Sequence, residues 1–279
     1  MALPTQSRWP TPPQREYAFV KALFTFALET EFAPWCQLRK FRAADWGGLK
    51  LWCADADGLE IAVVLTGAGP KLARQAASQA INNGDDSPRF CISSGLAGGL
   101  RSEHRTNDLL VARAVFPENV RERDRVEDQI DSSEALVSFA AECGAKVVEH
   151  FLTTARVVGR SDEKKHLGQS ADAVEMESFG VLSAAQERGV PAVAIRVISD
   201  TVDEDLPLDM NEVLTDAGKV SIPRVLGQVA LHPGAVPGLM RLGRDSKRAA
   251  VTLCEFLDRY ARRLAATGQF LQSKGGAGQ

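Results

Sequence analysis

Along the chain, short apolar runs alternate with stretches in which apolar residues recur every three or four positions. The runs are "ALFTFAL" (22–28), "IAVVLTG" (61–67), "RFCISSG" (89–95), "DLLVARAVF" (108–116), "KVVEHFLTTARVV" (146–158) and "PAVAIRVIS" (191–199). Strands covered on both faces lose their apolar–polar alternation and become continuous runs of this kind. Helical spacing over 71–82, 132–143 and 175–188 fills the gaps. The alternation predicts an α/β fold, a single domain whose central, twisted, mixed but mainly parallel sheet is flanked by helices. Asp131 and Glu134 stand at capping-box spacing before the second helix, and Gly189 is placed to end the third in a left-handed conformation.

The ends differ from the middle. "MALPTQSRWPTPPQR" is rich in proline and polar residues, so residues 1–16 read as a flexible arm. From 221 to 266 the pattern is helical, with Ala250, Leu253, Leu257, Tyr260 and Leu264 on one buried face, and the tail "SKGGAGQ" is low in complexity. The acidic stretch "TVDEDLPLDMNE" (201–212) is long enough to be a flap over a crevice or an ordinary surface loop.

A chain of 279 residues, 44% hydrophobic and 25% charged, is large enough for one sizeable core. Its net charge of −3 gives no whole-chain attraction to nucleic acid or anionic lipid, which points to a small-molecule substrate. The basic cluster Arg160–Lys165 reads as solvated surface. Five cysteines without CxxC spacing and four histidines without ligand spacing argue against a metal site and a disulfide framework, and fit a reducing cytoplasm. No run reaches the ~18 apolar residues of a membrane span.

Four segments hold candidate chemistry. "AVAIRVISD" (192–200) is a buried strand ending on Asp200, and ligands in such sheets lie beyond the carboxyl ends of strands, so Asp200 is a candidate acid. "SSGLAGGL" (93–100) reads as a loop whose glycines let backbone amides approach a ligand. "AVEMES" (173–178) sets Glu175 and Glu177 around Met176 where a helix begins, and a carboxylate there could accept two sugar hydroxyls. "FALETEFAPW" (26–35) runs from a strand into Glu29 and Glu31. A dinucleotide fingerprint starting at "TGAGP" (66–70) fails, because Leu72 occupies the position of its last glycine.

"ALETE", "GLAGGL", "VEMES" and "RVISD", in this order and at these intervals, resemble the nucleoside phosphorylase/nucleosidase superfamily over roughly residues 20–215. The methylthioadenosine/S-adenosylhomocysteine nucleosidase branch is the most similar, while "LMRLGRDSKRA" resembles the bacterial phosphorylase-like relatives associated with hopanoid biosynthesis, which act on adenosylhopane. The resemblance implies a catalytic domain over 17–220 and a helical extension over 221–279 packed on it, with a disordered tail. It also implies strand ends near Ala27, Ser94 and Asp200 around a purine crevice.

The implied roles follow residue by residue. Asp200 would protonate N7 of a departing purine, with Ser199 orienting it; Glu31 would activate water. Glu177 would hold the ribose hydroxyls and Met176 the sugar face. The backbone of Val158 would read the purine edge, Val157 stands where a stacking aromatic is usual, and Glu175, Ala27, Gly95, Leu96 and Ala97 complete the binding set. Asp200 can act as an acid only if its surroundings keep it protonated, a role expected of apolar neighbours such as Ile198.

Two departures bear on the substrate. Leu96 replaces a usual serine, and Val157 forgoes stacking energy of about 1 kcal/mol, so a purine, preferably adenine, nucleoside with an apolar 5′ group is expected. Ser93 stands where hexameric phosphorylases carry a phosphate-clamping arginine, and Arg89 is too far along the strand to replace it, which favours water as acceptor. Backbone amides at 67–69 and a helix beginning near Lys71 could still bind phosphate as a co-substrate. Phosphorolysis, including of an adenosylhopane-type substrate, and a non-catalytic nucleoside-binding module are the alternatives. No metal or other cofactor is implied, and the resemblance points to a cytoplasmic homo-oligomer, a dimer first.

Overall fold

A computed structural model of the chain describes residues 20–46, 48–82, 87–118 and 128–275, so the expected arm at 1–16 lies outside the described residues. Strand β1 (Val20–Phe26) leads into helix α1 (Glu29–Leu38), and an antiparallel pair, β2 (Arg42–Trp46) and β3 (Leu49–Ala56), follows. β4 (Leu59–Leu65) returns beside β1 in parallel, and α2 (Pro70–Ile81) crosses to β5 (Phe90–Gly99), parallel to β1 on its other side. Next come β6 (Leu109–Pro117), β7 (Ile130–Asp131), α3 (Glu134–Glu142), β8 (Lys146–Thr153), α4 (Ser161–Leu167), β9 (Ala173–Glu175), α5 (Ser178–Gln186) and β10 (Ala192–Asp200). The chain ends in α6 (Met210–Val213), α7 (Ile222–Leu231), a short 3₁₀ turn and the long α8 (Val236–Gly275).

The result is one α/β domain with a mixed sheet ordered β10-β6-β8-β9-β5-β1-β4-β3-β2. β10 also pairs with β5 in parallel, so β5, β10, β6, β8 and β9 close into a ring. Alternate residues of each strand face opposite layers. Phe24, Phe26, Val63, Ile92 and Ile195 pack with residues of α1, α3 and α8, while Leu23, Val64, Cys91 and Ala194 pack with α2 and α5.

The C-terminal helix belongs to this core. Leu253, Leu257, Tyr260 and Leu264 are completely buried, the Trp35 Nε1 donates to Asp258 at 3.2 Å, and the Tyr260 hydroxyl donates to the Leu136 carbonyl at 2.9 Å. Helical backbone runs on to Gly275, past the expected end at 266 and into the low-complexity tail. Among the described residues no helix is long and apolar enough to cross a membrane.

Several local expectations are corrected. "GLAGG" is not a loop: β5 continues through Gly99, because Leu96, Ala97 and Gly98 keep pairing with β10. Asp131 sits in β7, so Ser133 rather than a capping-box aspartate starts α3. The third helix begins at Ser178, since Ala173–Glu175 pair as a strand with β8 and β5. Gly189 does end its helix at φ +64°.

Candidate active site

The carboxyl ends of β1, β5, β9 and β10 open onto one cavity of ≈ 200 Å³. Glu31, Ala27, Leu96 and Ala97 line it from one side, and Glu175, Met176 and Glu177 from the other. Val157, Val158, Ser199 and Asp200 complete the wall. Eleven of the twelve expected site residues therefore meet in one place. The twelfth, Gly95, lies just behind the wall, where a Cβ would approach Glu31 Oε1 to 3.3 Å and Arg196 Nε to 3.6 Å.

Glu31 is held in the first turn of α1. Its Oε2 accepts from the Leu28 N–H at 3.0 Å and its Oε1 from the Leu96 N–H at 3.1 Å, so the α1 entrance and the β5 end fix both oxygens. Burial raises its pKa, against the lowering pull of those two N–H groups and of Arg196. A carboxylate shifted upwards is a stronger base once ionised.

Glu175 and Glu177 share Arg196, the charge that interrupts β10. A guanidinium in a strand buried on both faces needs an anionic partner there. Arg196 Nη2 lies 2.5 Å from Glu175 Oε2 and 3.7 Å from Glu177 Oε2. Glu175 is fully engaged by the protein: Oε2 also accepts the Glu177 and Ser178 N–H groups at 2.9 and 2.8 Å, and Oε1 accepts from the Thr153 hydroxyl. The carboxylate of Glu175 thus anchors the turn that presents Glu177.

Among the described residues Glu177 receives only the Gly69 N–H, at 3.1 Å on Oε1, besides the distant arginine. Burial, and then the neighbouring Glu175, push its pKa up to about 8, while Arg196 pulls the other way. The unfolded chain would release this proton near the ordinary value of 4.5, so the folded state binds the extra proton between those two pH values. Stability from this group is therefore full at low pH and is lost as pH rises towards about 8. Thermal melts of Glu177→Gln at a series of pH values should lack that decline; a wild-type decline retained by the variant would contradict the assignment.

Asp200 ends β10 with both oxygens occupied. Ser199 Oγ donates to Oδ1 at 2.7 Å, as expected, and Nζ of Lys164 in α4 stands 2.5 Å from Oδ2. Gly98 makes room for this carboxylate, since a Cβ there would lie 3.1 Å from Oδ2. Lys164 is completely buried, and its ammonium also donates to the carbonyls of Thr201 and Glu204, at 3.1 and 2.8 Å. This corrects two expectations: Lys164 is not solvated surface, and Asp200 faces a cation rather than only apolar neighbours.

Val157 and Val158, side by side in the cavity wall, differ in their backbone groups. Asn211 takes both the Val157 N–H and the Val157 carbonyl, at 2.7 and 3.0 Å. Val158 makes no backbone hydrogen bond among the described residues, which leaves its edge open to a ligand. Segment 201–212 does cover the cavity: Leu206 and Met210 line it, and the Leu206 N–H is tied to the Gly159 carbonyl at 2.7 Å. Leu214 and Val220 extend this apolar wall.

The anion site considered at 67–69 is not available. The N–H groups of Gly67, Ala68 and Gly69 are taken by the Ala27 carbonyl, the Gly218 carbonyl and Glu177. Ser93 is completely buried behind the cavity, with Arg196 Nη2 3.2 Å away. Among the described residues lining the cavity, Arg156 is the one basic side chain, and it pairs with Glu118 and Glu163. Away from the site, Glu103, His104 and Asp172 lie within ligand distance of one another, but Arg101 Nε already stands 3.1 Å from Asp172 Oδ1.

Arg196 and Lys164 are the site residues that sequence reasoning missed. Arg196 carried a signal, a lone charge in a buried strand; Lys164 sits in an ordinary-looking "DEKKH".

Comparison with known proteins gives a consistent picture. The family model of the phosphorylase superfamily matches residues 22–222. The aminodeoxyfutalosine nucleosidase of Helicobacter pylori is 28% identical over 148 residues, which cover 47% of this chain and 63% of that protein, less than two thirds of its length. The native structure of futalosine hydrolase from the same organism superposes with a TM-score of 0.66 at 22% identity, covering 87% of this chain and 97% of the other. The 5′-methylthioadenosine/S-adenosylhomocysteine nucleosidase of Neisseria meningitidis, in complex with methylthio-immucillin-A, gives 0.67 at 18% identity, covering 87% and 99%.

Proposed function

The chain belongs to the phosphorylase superfamily, and on that premise we propose that it is an N-glycosidase, hydrolysing the bond between a purine, preferably adenine, and a ribose that carries an apolar 5′ substituent. The observation that carries this reading is the convergence of Glu31, Glu177 and Asp200, from three separate strand ends, on one cavity. Breaking a C1′–N9 bond leaves positive charge on the sugar and negative charge on the base, so the site needs an acid at the purine and hydrogen-bond acceptors around the sugar.

The geometry supports a role for each group. Asp200 passes a proton to N7, and the ammonium of Lys164, 2.5 Å from Oδ2, fixes the place of that carboxyl. Lys164 touches Asp200 and not the substrate, which makes it a positioning residue. Glu177, with one oxygen free of backbone N–H groups, accepts the ribose hydroxyls while Met176 packs on the sugar. Glu31 accepts a proton from the attacking water. Water is favoured over phosphate because the backbone amides near the sugar side are satisfied within the protein. The apolar rim of Leu206, Met210, Leu214 and Val220 suits an apolar 5′ group. The chain is proposed to act in the cytoplasm as a homo-oligomer, a dimer first.

Adenine release from methylthioadenosine, S-adenosylhomocysteine, adenosine, inosine and a long-chain 5′-alkyl adenosine tests the reading. Release from the 5′-substituted adenosines that is unchanged by added phosphate is the expected result. Strict dependence on phosphate with formation of ribose 1-phosphate would make the protein a phosphorylase. No turnover on any of the five would leave a binding module.

A further inference from the structure

We propose that Asn211 is a positioning residue that makes the site selective for adenine over hypoxanthine, by holding the backbone of Val157 so that the next residue, Val158, meets the base in one register. The inference rests on the nucleosidase reading above and adds to it the side chain that fixes the base-reading edge.

One side chain satisfies both backbone groups of Val157. Asn211 Oδ1 accepts the Val157 N–H at 2.7 Å, and Nδ2 donates to the Val157 carbonyl at 3.0 Å. The amide can do this in one orientation only, because the N–H needs an oxygen and the carbonyl needs an N–H. The contact has the form of a hydrogen-bonded pair in an antiparallel ladder, with a side chain standing in for the second strand. β8 ends at Thr153, so the sheet does not hold this stretch, and Asn211 does.

Asn211 is itself fixed. Its N–H donates to Asp209 Oδ1 at 2.9 Å, at the start of α6. From outside, α7 holds the same segment through polar bonds: Arg224 Nη1 donates to the Leu214 carbonyl at 2.6 Å, and Gln228 Nε2 to the Asp209 carbonyl at 3.1 Å and to Glu212 Oε2 at 2.9 Å.

Holding Val157 decides what Val158 can read. Val158 is buried, lines the cavity and makes no backbone hydrogen bond among the described residues. Its N–H and carbonyl are one donor and one acceptor, which match the N1 acceptor and the 6-amino donor of adenine. Hypoxanthine presents the reverse, an N1–H and a carbonyl at C6, so in the same register donor meets donor and acceptor meets acceptor. A site rejects such a base only while its own groups cannot shift to suit it. The Asn211 bridge supplies that rigidity.

Steady-state kinetics on adenosine and inosine, for the full chain and for Asn211→Ala and Asn211→Asp, test the inference. The wild type should prefer adenosine. In Asn211→Ala that preference in kcat/KM should shrink by about ten-fold, through a higher KM for adenosine with kcat nearly unchanged. Asn211→Asp keeps an acceptor for the Val157 N–H and lacks the donor for its carbonyl, so it should fall between the two, and it decides the matter if the alanine variant does not fold. Calorimetric titration with free adenine and hypoxanthine is run on the same proteins. Absence of turnover in the wild type would end the hydrolase reading, and the ratio of the two binding constants would then decide this one. The inference is overturned by a wild type that does not distinguish the two bases, by variants that keep the wild-type ratio, or by a fall in kcat alone that is equal for both substrates, which would give Asn211 a merely structural part.

Discussion

Asp200→Asn should lower kcat by about 10²–10⁴-fold while leaving nucleoside binding within a few-fold of the wild type. The amide keeps the shape of the carboxyl, and its oxygen can still accept from Ser199 or Lys164, now 2.7 and 2.5 Å from the two carboxyl oxygens. What it cannot do is give a proton to N7. A loss confined to kcat is therefore the signature of the acid, and steady-state kinetics with an independent binding titration would reveal it. Equal losses in binding and turnover would mean that Asp200 holds the ligand without acting on it. Turnover at the wild-type rate would remove Asp200 from the reaction.

The largest effect on stability is expected at Arg196. Arg196→Met keeps much of the side-chain volume in β10 but strips the buried Glu175 of its cation, and leaves Glu177 facing two further carboxyl groups without compensation. Breaking a buried pair from one side costs about 3–5 kcal/mol. In a chain of this size that corresponds to a fall in Tm of roughly 10 °C. Adding Glu175→Gln should recover part of the loss, because the amide needs no counter-charge. A single variant that melts like the wild type would show that the three carboxyl groups take up protons without strain, and that Arg196 is not what holds them together.

Much of the site was legible because its anions sit where strands end. Asp200, Glu177 and Glu31 each follow an apolar run, and a carboxylate at that point has few structural reasons to be there. The order of the strands was not legible, nor was the closure of β5 onto β10 and β9, since pairing across the chain leaves no local trace. The β2–β3 hairpin escaped because "RAADW" and "LKLWCADA" mix exposed and buried positions without a continuous apolar run. The glycine-rich segment misled for the opposite reason. Its composition suits a turn, yet Gly95 and Gly98 are small so that a strand can pass close to Glu31, Arg196 and Asp200. Lys164 was hidden by its neighbours: Lys165 beside it is exposed and pairs with Asp203, and sequence alone does not say which of two adjacent lysines turns inward.

The three bonds of the Lys164 ammonium tie together two parts of the molecule, the end of β10 and the segment that follows it. One goes to Asp200; the others go to the carbonyls of Thr201 and Glu204, at the root of the segment that covers the cavity. An ammonium has three hydrogens, and all three are committed. Lifting that root away would cost Nζ two of its three acceptors and leave a buried cation leaning on Asp200 alone. The place of the Asp200 carboxyl and the seating of the 201–212 segment are thus fixed by one and the same side chain.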